Sequence, residues 1–585
     1  MARRFDAGPE RFLLDGRPFR VLSGSMNYFR IVPGQWRARL RWARYMGLNT
    51  IETYVPWNLH APRPGETAFS GPLDVTRFLE TAAEEGLHAI VRPGPYVCAE
   101  LDFGGLPAWL LRPPAPRIRS SDPAYLEHVA RWFDELFPRL VDLQCTSGGP
   151  VLMMQVENEF GAHGDDPAYL EWLVAAYRER GVDVPLVTCD QDDDAMVRAG
   201  GASGLLRTMN FGSGPESAWA TRRRHQADGP LMCMEFWNGW FDHWGEEHHR
   251  RPAADAGAVL EEMLAAGASV NFYMFCGGTN FGFSNGANHF ERYQPTITSY
   301  DYDAPLSESG APTKKLETYR EIIARHETVE DLPRPPEPGT LPERRVRLGH
   351  AVALLDAMAA LSRPVSATRP LTMEELGQNF GFVCYGFVIT DPGDHLLEIP
   401  GVRDRAQVLL DGVEHGVLDR ESQTTALRLR VTTPRTAVRV LVENLGRVNY
   451  GPELADPKGI VGSITLDGVP VTGLTIHPLP LDNVGTLDFG AGRPCTPGMP
   501  GPVLCHGAVT VDEPADTFVA LDGWTKGVVW VNGFNLGRYW DRGPQRTLYL
   551  PGPLLRPGAN DLHLLELHRS AAPTITLTGT PDLGS

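Results

Sequence analysis

The chain has 585 residues, 42% of them hydrophobic and 22% charged, with a formal net charge of −18. That length is too great for one ordinary domain and implies two to four. The acidic excess argues against a nucleic-acid backbone or an anionic membrane surface as a partner.

The N-terminal stretch "MARRFDAGPERFLLDGRPFRVLSGSM" lacks the uninterrupted apolar core of a secretory signal. No apolar run anywhere reaches the roughly 20 residues that span a bilayer. Up to about residue 325, strand-like runs then alternate with amphipathic helical stretches. The strands are expected at "FRVLSGS", "NTIETYV", "HAIVRPG", "PVLMMQV", "VPLVTCD", "LLRTMNF", "PLMCMEF" and "SVNFYMF". Helical patterns lie between them, such as "GQWRARLRWARYMG", "DVTRFLETAAEEG" and "AADAGAVLEEMLAAG", several opening on an Asp N-cap and closing on Gly. Eight such units in roughly 300 residues count out an α/β fold of the (β/α)8 TIM-barrel type over residues 1–328. An open doubly wound sheet is disfavoured, because no G-x-G-x-x-G follows the first strand.

The proline-rich stretch "DLPRPPEPG" then reads as a domain boundary, and residues 329–380 are expected to be a linker or wrapping segment. Beyond it, short alternating strands with Gly and Pro turns predict two all-β sandwich domains, at 381–478 and 479–585. Eight cysteines stand singly, with no C-x-x-C spacing. Neither a zinc site nor a redox pair is expected, no metal or other cofactor is implied, and free thiols suit a cytoplasmic location.

In a TIM barrel, chemistry sits where the strands run out at their C-terminal ends. The third strand continues to Glu100, the fourth ends in Glu157-Asn158-Glu159, and the seventh delivers Glu235 beside three aromatics. The eighth is followed by "SYDYDAP", with Tyr300, Asp301, Tyr302 and Asp303. Paired carboxylates among aromatics, with no metal ligands beside them, point to glycoside hydrolysis. One carboxylic acid must protonate the leaving oxygen and one carboxylate must face the anomeric carbon. At a separation of roughly 5 Å two carboxylates repel by about 3 kcal/mol at an effective dielectric near 20, so such a pair tends to hold one proton.

The stretches "GGPVLMMQVENEFG" and "PLMCMEFWNGWFDHWG" resemble the two active-site signatures of family-35 glycoside hydrolases, the acid β-galactosidase group, of bacterial type. The likeness extends through "ETYVPWNLHAP", "VRPGPYVCAELDFGGLPAWLL", "NFYMFCGGTNFGFSNGAN" and "SYDYDAPLSESG", and more weakly into "VENLGRVNYG" and "WVNGFNLGRYW". The resemblance implies Glu159 as acid/base, Glu235 as nucleophile and Asn158 as the partner of the sugar 2-hydroxyl. It places galactose against Tyr54, Ala99, Glu100, Tyr273 and Tyr302, with Trp240 as a stacking wall, and makes the β domains galactose-binding-like jelly rolls. Two positions depart from the family pattern: Asn27 stands where a His is usual and Ala61 where a Glu is usual. Phe283 and Ser284 occupy a loop that varies and leaves the aglycone side open.

The expectation is therefore a retaining exo-β-galactosidase acting on an oligosaccharide or glycoconjugate, with a homodimer as its assembly and no nucleic-acid or membrane partner. A related exo-glycosidase such as an exo-β-glucosaminidase is the enzymatic alternative, and a non-catalytic galactoside-binding protein the alternative of another class. Glu157 is expected to support Glu159 or face away from it. "RRRH" (Arg222–His225) is read as a solvent face, Glu246–His249 as a solvated loop, and Cys98, Cys233 and Cys276 as buried small hydrophobes.

Overall fold

The computed structural model describes residues 2–584. Eight parallel strands close into a barrel: Leu22–Met26 (β1), Thr50–Tyr54 (β2), His88–Arg92 (β3), Val151–Gln155 (β4), Leu186–Gln191 (β5), Leu206–Phe211 (β6), Met232–Trp237 (β7) and Ser269–Cys276 (β8). Each strand pairs with its sequence neighbours and β8 closes on β1, as right-handed βαβ crossovers require. All eight lie where the apolar runs place them. Their outer faces are covered by Pro33–Met46 (α1), Val75–Glu84 (α2), Pro123–Leu136 (α3), Pro167–Glu179 (α4), Asp194–Gly200 (α5), Pro215–His225 (α6), Ala253–Ala265 (α7) and Lys314–His326 (α8). The Asp start signals work as caps: Asp74, Asp122, Asp166 and Asp193 each accept backbone N–H bonds in the first turn of α2, α3, α4 and α5.

One reading of the helical surface needs correction. In the "RRRH" run, Arg223 and Arg224 are exposed but Arg222 is buried. Its guanidinium turns inward to donate to the backbone O and side-chain Oε1 of Gln226 at the end of α6, an arrangement that satisfies late helical carbonyls.

After the extended proline-rich stretch, Arg344–Ala353 is not a linker. Its first half pairs with Thr574–Thr578 and its second with Val503–Val511, so it crosses from one sheet of the last domain to the other. The expected wrapping segment thus supplies a central strand of the C-terminal β domain. Burial alternates along "RRVRLGHAVA" only in part, which hid the strand from a period-2 reading. The first β domain packs a six-stranded sheet, built on Phe382–Ile389, Arg405–Leu410 and Thr436–Glu443, against a four-stranded one. A further apolar cluster joins the two β domains through Leu354, Phe382, Leu481, Trp530 and Leu565, and the barrel loop residue Phe283 is part of it.

The first β domain is fastened to the barrel mouth. Val448–Tyr450 adds as a parallel strand to Ala287–His289, which itself pairs with Tyr293–Pro295. Beside it the buried Arg447 donates to Asp102 Oδ2 at 2.9 Å and to Glu374 Oε1 at 2.5 Å. No helix of the described residues is long and apolar enough to cross a membrane.

Candidate active site

The parallel register sets the site. Tyr54 and Arg92 are neighbours at the ends of β2 and β3, and both turn toward Glu235. Tyr54 Oη donates to Glu235 Oε1 at 2.7 Å and Arg92 Nη2 at 2.6 Å, while Trp237 Nε1 donates to Oε2 at 3.1 Å. The Glu235 carboxylate is thus met by three donors and no acceptor. Glu159 follows β4 and is held by Asn210, whose Nδ2 donates to Oε1 at 3.0 Å. Burial, and next the Glu235 charge, push the Glu159 carboxyl up to about 7, against the pull of the Asn210 and Gln191 amides. One carboxyl therefore keeps a proton near neutral pH beside a second that is saturated with donors.

Asn158, between the two acidic residues of its motif, accepts on Oδ1 from Gln155 Nε2 at 3.1 Å and from Tyr54 Oη at 3.3 Å. Glu157 points the other way, as expected of a support. It accepts from Arg119 Nη2 and from Tyr169 Oη, both at 2.8 Å, and is buried. Glu100 accepts from the Tyr300 hydroxyl, and burial pushes its carboxyl up to about 7.

Side-chain delivery here uses unusual backbone. Cys98, Ala99 and Glu100 have φ of 58°, 53° and 50°, Glu159 has 45° and Tyr302 has 64°, a region costly for residues with a Cβ and concentrated at functional sites. Gly239 and Gly277 let the Tyr300–Tyr302 segment close over the mouth. A Cβ on either would lie 1.7 Å from a carbonyl oxygen, that of Tyr302 and of Tyr300 respectively. Trp240 is 38% exposed, stacks on Phe241 with ring centroids 5.0 Å apart and meets Trp237 edge-on.

These groups surround one cavity of about 480 Å3, lined by all nine residues the sequence reading placed there: Tyr54, Ala99, Glu100, Asn158, Glu159, Glu235, Trp240, Tyr273 and Tyr302. That volume suits a small ligand. The reading placed Tyr300 at the mouth without giving it a role, and missed Arg92, Asn210, Gln191, Phe290 and Tyr450. Arg92 was legible as a charge closing a buried apolar strand. Tyr450 was not, because it comes from the next domain. Asn27 is wholly buried with neither side-chain polar atom partnered, and Ala61 is buried. Phe283 and Ser284 line a separate cleft between the domains and not this cavity. A cavity of about 550 Å3 at the opposite, N-terminal end of the barrel holds neither Glu159 nor Glu235.

Among the described residues, no cluster of His, Cys, Asp and Glu is arranged to hold a metal ion. In the Glu246–His249 loop, His248 and His249 both turn Nδ1 toward Asp242, at 2.7 and 2.8 Å. Cys98, Cys233 and Cys276 are buried, and all eight cysteines are unpaired.

The family model "Glycosyl hydrolases family 35" matches residues 11–326. "Beta-galactosidase, first all-beta domain" matches 370–480 and "Beta-galactosidase, galactose-binding domain" matches 502–560. Human beta-galactosidase-1-like protein 2 is 41% identical over 98% of this chain and 91% of its own length. The beta-galactosidase of Mus musculus is 41% identical over 99% of this chain and 93% of its own, and that of Bos taurus 42% over 97% and 91%. These relatives are mammalian, so the expected bacterial affiliation has no support among them. Among solved structures, a GH5_18 protein from Streptomyces cattleya aligns over 56% of this chain and 83% of its own at 15% identity, with a TM-score of 0.39.

Proposed function

The chain belongs to glycosyl hydrolases family 35, and from that premise we propose how its cavity works. It is a glycoside hydrolase, a β-galactosidase whose substrate is a β-galactoside. By our reading it removes the terminal non-reducing galactosyl residue by double displacement, with net retention of configuration.

Glu159 gives its proton to the departing glycosidic oxygen while Glu235 attacks the anomeric carbon, forming a galactosyl ester and freeing the aglycone alcohol. The ester carries no charge, so the repulsion that held a proton on Glu159 disappears and its pKa falls. The Glu159 carboxylate then takes a proton from water. That water attacks the anomeric carbon, and Glu235 departs as carboxylate. By the same reading Asn158 holds the 2-hydroxyl. Glu100, Tyr273 and Tyr302 bind the polar edge of the ring, with Ala99 contributing backbone, and Trp240 covers the apolar face that the axial 4-hydroxyl leaves from C3 to C6. The unpaired cysteines support a reducing compartment such as the cytoplasm.

The observation that carries this reading is the pairing in one cavity of the buried Glu159, whose carboxyl burial and the Glu235 charge push up, with a Glu235 held by three donors. Incubation with a 2-deoxy-2-fluoro-β-galactoside bearing a dinitrophenolate leaving group tests it. The expected adduct maps to the peptide of Glu235, and proton NMR of ordinary turnover shows β-galactose first. A label on another residue, or α-galactose as first product, overturns the assignment.

A further inference from the structure

Glu159 follows β4 with a backbone of φ 45° and ψ 45°, a left-handed conformation that a residue with a Cβ keeps only where its surroundings impose it. Two consecutive residues of β5 supply that restraint. The Glu159 N–H donates to the Cys189 carbonyl at 3.1 Å, and the Gly161 N–H donates to Asp190 Oδ1 at 2.9 Å. Neighbours on a strand face opposite sides. Cys189 turns its thiol inward to Asn158, while Asp190 turns outward toward α5, is buried there and does not line the catalytic cavity. A Cβ on Gly200, at the end of α5, would lie 2.0 and 2.1 Å from the two Asp190 carboxyl oxygens. A Cβ on Gly161 would lie 1.9 Å from the Met196 carbonyl oxygen of the same helix. Glycine at both positions lets α5 press the Asp190 carboxyl and the turn Phe160–Ala162 together.

We propose that Asp190 is a positioning residue for the catalytic acid: its carboxyl holds the Gly161 amide, fixes the turn that begins at Glu159 and so aims the Glu159 side chain at the glycosidic oxygen. The inference rests on Glu159 being the acid/base. Asn210 holds the Glu159 carboxyl from within the cavity, and Asp190 holds its backbone from the other side of the strand. Burial pushes the Asp190 carboxyl well above the usual carboxylate range. What Gly161 requires is an acceptor oxygen and not a charge, so an amide of the same shape serves. Misplacing a reacting group by about 1 Å, even by a change away from the chemistry, costs about a hundredfold in rate. Here the group donates a proton, so the loss falls on substrates whose leaving oxygen needs one.

The test compares wild type with Asp190→Ala, Asp190→Asn, Gly161→Ala and Glu159→Ala on phenyl and dinitrophenyl β-galactosides. Asp190→Ala is expected to lower kcat/KM for the phenyl substrate about tenfold more than for the dinitrophenyl one, whose departure needs no proton. Asp190→Asn keeps the acceptor and should stay within about twofold of wild type on both. Gly161→Ala pushes the same turn from the α5 side with Asp190 intact and should reproduce the split, so a failure of Asp190→Ala to fold leaves the proposal refutable. Equal losses on the two substrates, in Asp190→Ala or in Gly161→Ala, make Asp190 a packing residue and overturn the proposal. Asp190→Asn as impaired as Asp190→Ala overturns the acceptor role. Absence of the split in Glu159→Ala strikes instead at the assignment of the acid.

Discussion

Arg92 Nη2 lies 2.6 Å from Glu235 Oε1, while its Nη1 is 3.9 Å from Glu52 Oε1 on the floor of the barrel. The guanidinium is thus shared between the carboxylate assigned as nucleophile and a wholly buried one, Glu52, whose carboxyl burial pushes up to about 7. Removing a partner from a buried ion pair leaves an uncompensated charge and costs about 3–5 kcal/mol. Arg92→Met is therefore expected to lower the thermal midpoint and to cut kcat at least a hundredfold. Arg92→Lys should recover stability more than rate, because an ammonium cannot reproduce the two-sided fork. Calorimetry and steady-state kinetics check both; unchanged kcat in Arg92→Met removes Arg92 from the site.

Glu235→Gln should abolish turnover of every galactoside while still binding galactose. Glu159→Ala should still form the galactosyl ester from a dinitrophenyl galactoside but release it slowly. Azide, which needs no general base, should restore the rate and yield β-galactosyl azide. The anomer is read by NMR, and α-galactosyl azide would contradict a double displacement.

With Glu159 pushed up to about 7, the acid is present below that pH and lost above it. The kcat/KM for a poor leaving group is therefore expected to fall on the alkaline side of about pH 7. The same limb should be faint for the dinitrophenyl substrate. A flat profile to pH 9 with phenyl galactoside would assign the proton donor elsewhere.

Glu308 lies beneath the Tyr300–Tyr302 segment and accepts from Thr279 Oγ1 at 2.6 Å and Ser299 Oγ at 2.7 Å. Burial pushes its carboxyl from 4.5 up to about 8. The folded pKa lies above the unfolded one, so the native state keeps a proton that the unfolded chain releases. The stability it contributes is full below about pH 4.5 and is lost as pH rises through about 8. The thermal midpoint should accordingly fall between pH 5 and pH 8, and Glu308→Gln, which cannot ionise, should show a smaller fall. Equal pH slopes in the two proteins refute the assignment.

Arg447 binds Asp102 and Glu374 with no exposure to solvent, and Asp102 is two residues from Glu100. Arg447→Met should destabilise the docking of the first β domain, by about 3–5 kcal/mol for the broken network. KM should rise more than kcat falls, since Glu100 is proposed above as a binding group. A selective loss of kcat would instead connect this junction to the chemical step.

Much of the barrel was legible because a fully buried parallel strand leaves an apolar run that needs no partner to be recognised. β4 and β8 are the clearest cases, buried at every position. Glu159 and Glu235 could be placed at one mouth because each lies at or just beyond the end of such a run, although Glu157, at the end of the same run as Glu159, is a structural partner of Arg119. What depended on contact across the chain was not. Gln191 donates to Tyr450 Oη, and nothing local to "TCDQDD" announces a bond to a residue of another domain. Asn210 is an amide one residue from the end of an apolar run, which ordinary strands also carry. Arg344–Ala353 was misread because it divides its two halves between sheets and so follows neither a clean alternation nor a continuous apolar run.

That strand also dictates an order of assembly. Arg344–Ala353 leaves the ribosome before the first sandwich does, yet its partners Val503–Val511 and Thr574–Thr578 are synthesised only after that whole sandwich has been made. The nascent segment must wait with its edges open, and a fragment beginning at residue 480 can never complete its own sheet. The last domain is consequently a unit in space that no single cut of the polypeptide can liberate, and a peptide spanning 340–356 supplied in trans is the missing piece such a fragment would need.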